Sequence, residues 1–330
     1  MIDNSEFGLF CRGGDFYIDP WRPVPRALIT HGHADHARRG CGAYLCADPC
    51  VNVLRARLGT VAVQGVAYGE RVRLGEATVS FHPAGHVLGS AQIRVEVGGE
   101  VWVVSGDYKC APGFVKEDQT CEAFEPVRCH TFITESTFGL PIYRWQPQQA
   151  TIANINRWWA GNAAEGRTSV IYAYGLGKAQ RIVGHVDASI GPLVVHGAIA
   201  PINEAYRAAG VALPTTQLLG EAELKNTGAL IVMPPSAKPA TWPTRYGDVS
   251  DATASGWMQL RGARRRQGVD RGFVLSDHAD WPGLLQAIAA SEAENVLVTH
   301  GQVAPLVRTL QNQGLSARAL ATAYGDDTDS

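Results

Sequence analysis

The chain reads as a mixed α/β protein with a sheet-rich first part, a middle block of alternating strands and helices, and a closing return to strand-plus-helix layers. Three observations predict this. Up to about residue 135, runs rich in Val, Ile, Thr and aromatics follow one another, broken by Gly-Gly and Pro-Gly. From Pro147 the apolar pattern takes a helical period and then alternates with strands, and after Arg271 strand and helix signals return in single file. At 330 residues, 45% hydrophobic and 18% charged, the chain can bury a sizeable core, as one large domain or two of medium size.

Taken in order, strands are expected at 27–29, 77–81, 91–97, 101–104 and 131–134. A helix follows at 148–159, then a strand at 168–174 and a helix opening at 177–183, with further strands at 191–196 and 229–233. That alternation predicts a small domain with parallel strands. Gly272-Phe273-Val274-Leu275 is read as a strand, Asp280 starts a helix with Pro282 in its first turn, and a strand at 295–299 leads into a last helix.

Composition excludes some classes. A formal charge of −2 and a pI near 6.5 rule out a wholly basic nucleic-acid-coating protein but leave room for a local basic track. No apolar stretch approaches a membrane span, and Met1-Ile2-Asp3-Asn4-Ser5-Glu6 lacks the basic start and apolar core of a signal peptide. A cytoplasmic location is the expectation. The seven cysteines, at 11, 41, 46, 50, 110, 121 and 129, contain no C-x-x-C pair and read as reduced, buried or incidental thiols.

The densest chemical signal is Thr30-His31-Gly32-His33-Ala34-Asp35-His36, directly after Ala27-Leu28-Ile29. Imidazole and carboxylate suit a divalent cation such as zinc, and a strand end fixes them better than a free loop does. His86 lies just past another strand, Asp107 ends Val103-Val104-Ser105-Gly106-Asp107, and His300 ends Leu297-Val298-Thr299-His300. With His31, His33, Asp35 and His36 they make seven candidate ligands, enough for two metals with Asp107 between them and positions left for water and substrate. His82, His130 and His185 read as structural or surface residues; His196 sits at a strand end and is placed to line a site.

The order Asp19, His31 to His36, His86, Asp107 resembles the metallo-β-lactamase superfamily. Glu135 in Thr134-Glu135-Ser136-Thr137, His278 in Ser276-Asp277-His278-Ala279-Asp280, and His300 in Thr299-His300-Gly301 resemble its β-CASP nuclease branch. Phe16-Tyr17-Ile18-Asp19-Pro20-Trp21, residues 83–90 and Gly175-Leu176-Gly177-Lys178-Ala179-Gln180-Arg181 extend the likeness over most of the chain to the bacterial ligase-associated DNA exonucleases. The resemblance implies a four-layered αββα sandwich interrupted by a β-CASP cap, with the sandwich in 1–142 and 271–330 and the cap in 143–270. It implies His31, His33 and His86 on one metal, Asp35, His36 and His300 on the other, and Asp107 bridging. Zinc is the expected ion, with manganese as the alternative. Asp35, Glu135 and His278 are the implied catalytic residues: two cations lower the pKa of a bridging water, and His278, oriented by Glu135, protonates the departing sugar oxygen. Asp19 fits a carboxylate that orients a ligand histidine.

The implied function is a two-metal DNA nuclease, an exonuclease on single strands or frayed ends in repair alongside an ATP-dependent DNA ligase and a helicase. His300 is also the residue of the RNA-processing relatives, so a ribonuclease stays open, as does a catalytically silent binding relative. A small-molecule hydrolase shares the His-rich loop but needs neither Glu135 nor His278. For substrate grip the sequence offers the arginine-rich 261–271 segment with Arg264 and Arg265, the turn before a helix with Lys178 and Arg181, and Ser236 in Pro234-Pro235-Ser236-Ala237-Lys238.

Overall fold

The computed structural model describes residues 1–220, 224–260 and 262–323, with Arg264 described in its backbone alone. The chain divides into two compact units, Met1–Arg144 together with the chain from His278, and Trp145–Asp277.

The first unit opens with β1 (Ile2–Asn4), β2 (Leu9–Cys11), β3 (Phe16–Ile18), β4 (Arg26–Leu28), β5 (Ala43–Ala47) and β6 (Val63–Val66), which form one six-stranded sheet in that order. From β3 to β6 the pairing is parallel, so these strands share one carboxyl edge. Helix α1 (Val51–Leu58) connects β5 to β6. A second sheet begins with β7 (Val72–Leu74), β8 (Ala77–Pro83), β9 (Ala91–Val97), β10 (Glu100–Val104) and β11 (Thr131–Ser136). The β9–β10 hairpin turns on Gly98-Gly99, both at positive φ (60° and 87°), the backbone state a two-residue hairpin with the right twist requires.

In the second unit, β12 (Thr168–Tyr172), β13 (Leu193–Val195), β14 (Gln217–Leu218), β15 (Leu230–Met233), β16 (Val249–Ala254) and β17 (Arg271–Phe273) form a parallel sheet in the order β14-β13-β15-β12-β16-β17. Its helices are α2 (Gln148–Ala164), α3 (Lys178–His185), α4 (Ala200–Ala208) and α5 (Ala263–Gln267). The sequence reading assigns the strand near 272 to the closing part; in the structure β17 pairs with β16, Ala252 opposite Arg271, and belongs to this sheet. Periodicity identifies a strand but not its neighbour. Back in the first unit, α6 (Trp281–Ala290), β18 (Asn295–Gly301), α7 (Val303–Asn312) and β19 (Ser316–Ala319) complete the second sheet, β18 lying parallel between β11 and β19.

Apolar side chains alternate across these strands and decide the layering. Leu9, Phe16, Ile18, Leu28 and Leu45 of the first sheet meet Val79, Phe81, Ile93, Val95 and Ile133 of the second in one buried cluster. On the outer face of the first sheet, Tyr44 and Cys46 pack with Leu54 and Leu58 of α1. On the outer face of the second, Phe132, Val296 and Val298 pack with Leu284 of α6 and Leu306 of α7. In the second unit, Ile155 and Trp159 of α2 and Ile182 of α3 cover Ile171 and Val232. Trp159 is fully buried, and its indole N–H donates to the Gly228 carbonyl at 2.8 Å. Trp159→Ala is therefore expected to destabilise this unit by about 3–5 kcal/mol, read from denaturant unfolding.

All seven cysteines are free thiols, and burial pushes Cys110 and Cys129 up to about 12, which leaves them unreactive at neutral pH. Among the described residues no helix is long and apolar enough to cross a membrane.

Candidate metal centre

The candidate ligands come together because strand direction carries them to one edge of the first unit. Strands β10, β11 and β18 run parallel, so Asp107 just beyond β10, Glu135 near the end of β11 and His300 near the end of β18 share that edge. His86 lies in the turn between β8 and β9; β9 runs antiparallel to β10, which brings the turn to the same place. The loop after β4 arrives from the other sheet and is tied in by the Ala91 N–H donating to the Thr30 carbonyl at 2.8 Å. Gly106 sits at φ 57°, and a Cβ there would stand 2.6 Å from the Thr30 side chain, so only glycine lets Asp107 approach this loop.

His31 Nε2 and His86 Nε2 each lie 3.1 Å from His33 Nδ1, and His31 Nε2 is 3.2 Å from Asp107 Oδ2. A tetrahedral zinc with bonds of about 2.0–2.1 Å has ligand-to-ligand edges of roughly 3.3–3.4 Å. The four side chains are all buried, and one ligand atom from each lies within 4.8 Å of the others. Asp107 also faces His36 Nε2 at 3.5 Å through Oδ2 and His300 Nε2 at 3.4 Å through Oδ1. His36 Nε2 lies 3.5 Å from Asp35 Oδ2. Neither Asp107 oxygen takes part in a geometrically sound hydrogen bond among the described residues, although both are buried. A buried carboxylate ringed by imidazole nitrogens without hydrogen bonds is what a cation, rather than protons, would satisfy. The donor set therefore fits divalent metal.

The electrostatics follow from the same crowding. Burial works against charge on His36, but the carboxylates of Asp107, Asp35 and Asp19 outweigh it and hold the imidazole well above its ordinary range. His86 goes the other way, lowered by burial first and then by the charges of His278, His31 and His33. Burial alone would raise Asp107; the surrounding His36 and His31 keep it well below the usual carboxylate range.

Around the ligands, Asp19 accepts from the Thr30 N–H at 2.7 Å and from its hydroxyl, and lies 2.7 Å from His36 Nδ1. It thereby turns His36 Nε2 toward Asp107 and Asp35. Thr30, whose hydroxyl is also 3.1 Å from His31 Nδ1, joins the two candidate ligand histidines to one carboxylate; sequence reasoning missed it, its position beside the motif being the signal. Asp19→Asn is expected to weaken metal affinity about 10–100-fold, measured by competition with a chromophoric chelator.

Glu135 is buried and faces His278 Nδ1 with both oxygens, at 3.1 and 3.0 Å. The Tyr108 N–H donates to Glu135 Oε1 at 2.7 Å and fixes the carboxylate, a contact the sequence did not foreshadow. His278 is held by its neighbours: the Ala279 N–H donates to the Tyr108 carbonyl at 2.7 Å, and Asp280 caps α6 through the Gly283 N–H at 2.9 Å. Its ring lies 4.6 Å, centroid to centroid, from that of His86. The pair therefore borders the ligand cluster.

The expected substrate residues are placed differently. Lys178 and Arg181 are buried in the second unit, where Arg181 Nε pairs with Asp277 Oδ1 at 2.9 Å and Lys178 Nζ stands 3.9 Å from Oδ2. Arg181 also donates to Gln148 at 2.8 Å. Both cations are thus buried beside a carboxylate of their own unit. Ser236 and Arg265 are exposed; the Arg264 side chain and Arg261 lie outside the described residues. His82, His130, His185 and His196 each have a local partner: Glu125, the Val101 N–H, the Arg181 carbonyl and the Ala198 N–H.

Fold and site together define a mixed α/β protein with a buried His/Asp cluster able to hold metal. No family model matches the chain. It is similar to a probable DNA ligase of Opitutus terrae, 28% identical over 316 residues, which is 95% of this chain and 30% of that protein. It is also similar to the endoribonuclease ysh-1 of Neurospora crassa, 27% identical over 130 residues, 38% of this chain and 14% of that protein. The chain thus spans less than a third of the length of these curated relatives. In fold it is similar to the crystal structure of a protein of unknown function from Enterococcus faecalis V583, at a TM-score of 0.56 and 12% identity, covering 82% of this chain and 74% of that one.

Proposed function

We propose that this chain is a metal-dependent DNA nuclease of the β-CASP branch of the metallo-β-lactamase superfamily, with Met1–Arg144 and the chain from His278 as the αββα sandwich and Trp145–Asp277 as the cap. The observation that carries the reading is the meeting of His31, His33 and His86 nitrogens on Asp107 with the Glu135–His278 pair at its border. His31, His33, His86 and Asp107 would hold one divalent ion, and Asp35, His36, His300 and the same Asp107 a second. Zinc suits these donors first and manganese next. Bound there, the ions would supply Lewis acidity toward a phosphoryl oxygen and lower the pKa of a water.

The rest is the work of the chain's own groups. Glu135 holds one proton of the imidazolium form of His278 on Nδ1 and keeps the ring in one orientation, so that the second proton, on Nε2, passes to the departing sugar oxygen and leaves the ring neutral. Asp19 and Thr30 hold His36 and His31 in the tautomers that turn their other nitrogens inward. Exposed Arg265 and Ser236 remain candidates for backbone contact, whereas Lys178 and Arg181 act by ordering their unit.

DNA is favoured because the relative aligned over 95% of this chain is named a probable DNA ligase. That also supports a place in ligase-associated repair, with a ligase and a helicase as functional partners. RNA is the second reading, favoured by the ysh-1 alignment and by His300. End-labelled DNA and RNA of one sequence, incubated with zinc or manganese, test both. Stepwise shortening of DNA supports the exonuclease, preferential RNA cleavage supports the second reading, and intact strands in every arm sink both.

A further inference from the structure

Between His36 and Gly69 the chain carries four arginines, Arg38, Arg39, Arg55 and Arg57, and a single carboxylate, Asp48. The fold links Arg39 to Arg57. Arg39 donates from Nη2 to the Arg57 carbonyl at 2.9 Å, which fastens the segment following the His-rich motif to the last turn of α1. Arg57 in turn donates from Nη1 to the carbonyl of Gly32, the residue between His31 and His33. Arg39 and Arg55 are exposed, and the buried Nε of Arg38 meets no acceptor among the described residues. Among those residues Arg38, Arg39 and Arg55 form no ion pair, whereas Arg71 and Arg94 of the same unit share Glu96 and Arg128 takes Glu292.

Complementing the α1 dipole would account for Arg55 and Arg57, but Arg38 and Arg39 belong to no helix. We infer that Arg38, Arg39 and Arg55 form a cationic surface on the first unit that binds the phosphodiester backbone of a single nucleic-acid strand. Arg57 ties that surface to the metal loop through Gly32, so the strand it holds is registered against the ligand cluster. The proposal rests on the nucleic-acid reading above for the identity of the strand. It adds a binding surface on the first unit, distinct from the exposed Ser236 and Arg265 of the second. Contacts of this kind read charge and not sequence, so DNA and RNA should bind alike.

The test is fluorescence anisotropy of a labelled single-stranded phosphorothioate oligonucleotide, as DNA and as RNA, across a salt series. It compares the full chain with the Arg39→Ala/Arg55→Ala and Arg39→Lys/Arg55→Lys variants. The alanine pair is expected to bind more weakly, with a salt slope shallower by roughly 0.7 for each phosphate no longer neutralised, while the lysine pair keeps the native slope. Three results overturn the surface: no binding by the native chain, an unchanged slope in the alanine pair, or a lysine pair that behaves like the alanine pair. Binding that depends on these arginines, with unmodified DNA and RNA both left intact in the cleavage assay, would leave the surface standing and remove the nuclease reading. Cleavage with unchanged slopes would do the reverse.

Discussion

Asp107→Ala is expected to take hydrolysis below detection and to leave the purified protein with less metal than the native chain, measured by elemental mass spectrometry. Asp107 is the buried carboxylate on which the others converge: Oδ2 faces His31, His36 and His86 at 3.2, 3.5 and 3.8 Å, and Oδ1 faces His300 at 3.4 Å. Removing it takes the shared negative charge from both candidate ion sites at once. The loss should therefore exceed the about 10²–10⁴-fold effect expected from deleting a general acid alone. Asp107→Asn, which keeps the shape and removes the charge, should fail almost as completely. Full hydrolysis by a repurified, metal-free Asp107→Ala protein would end the metal-centre reading.

His278→Ala carries the second largest expected effect, an activity loss of about 10²–10⁴-fold on DNA with metal content unchanged. The reasoning turns on the leaving group. A sugar alkoxide needs a proton as it departs; a nitrophenolate does not. Hydrolysis of bis(p-nitrophenyl) phosphate should therefore fall far less than DNA cleavage in His278→Ala. Glu135→Gln should show the same split in weaker form, because Glu135 contacts His278 Nδ1 at 3.0 Å and would act through it. Equal losses on both substrates would assign His278 to structure and not to proton transfer.

How much of this was legible depended on what each signal needs. The long, well-buried strands 91–97 and 131–136 and the helix from Gln148 carry enough residues to display their period, and they are readable from the sequence. The three-residue strands β1, β2 and β7 are too short to show alternation, and α1 and α4 went unread among neighbouring strand signals. At the site, chemistry-bearing residues at strand ends were visible because histidine and aspartate there stand out from the apolar runs they follow. At Lys178 and Arg181 the sequence shows cations after a glycine-rich turn but not that both side chains are buried. Their partner Asp277 lies far along the chain, so no local pattern announces a buried ion pair.

The sequence by itself determined the inventory of candidates: His31, His33, Asp35, His36, His86, Asp107 and His300, each at or past a strand end, with Glu135 and His278 added by the family resemblance. Tertiary structure alone decided which ring nitrogen each histidine turns inward, Nδ1 for His33 and Nε2 for His31 and His86, and that Asp107 stands among them. It also decided that Asp19 and Thr30 hold His36 and His31, and that Arg57 reaches the His-rich loop at Gly32. The reason is physical: residue type fixes what a side chain can donate, but rotamer, tautomer and burial are set by partners from distant segments, which meet only when the sheets pack.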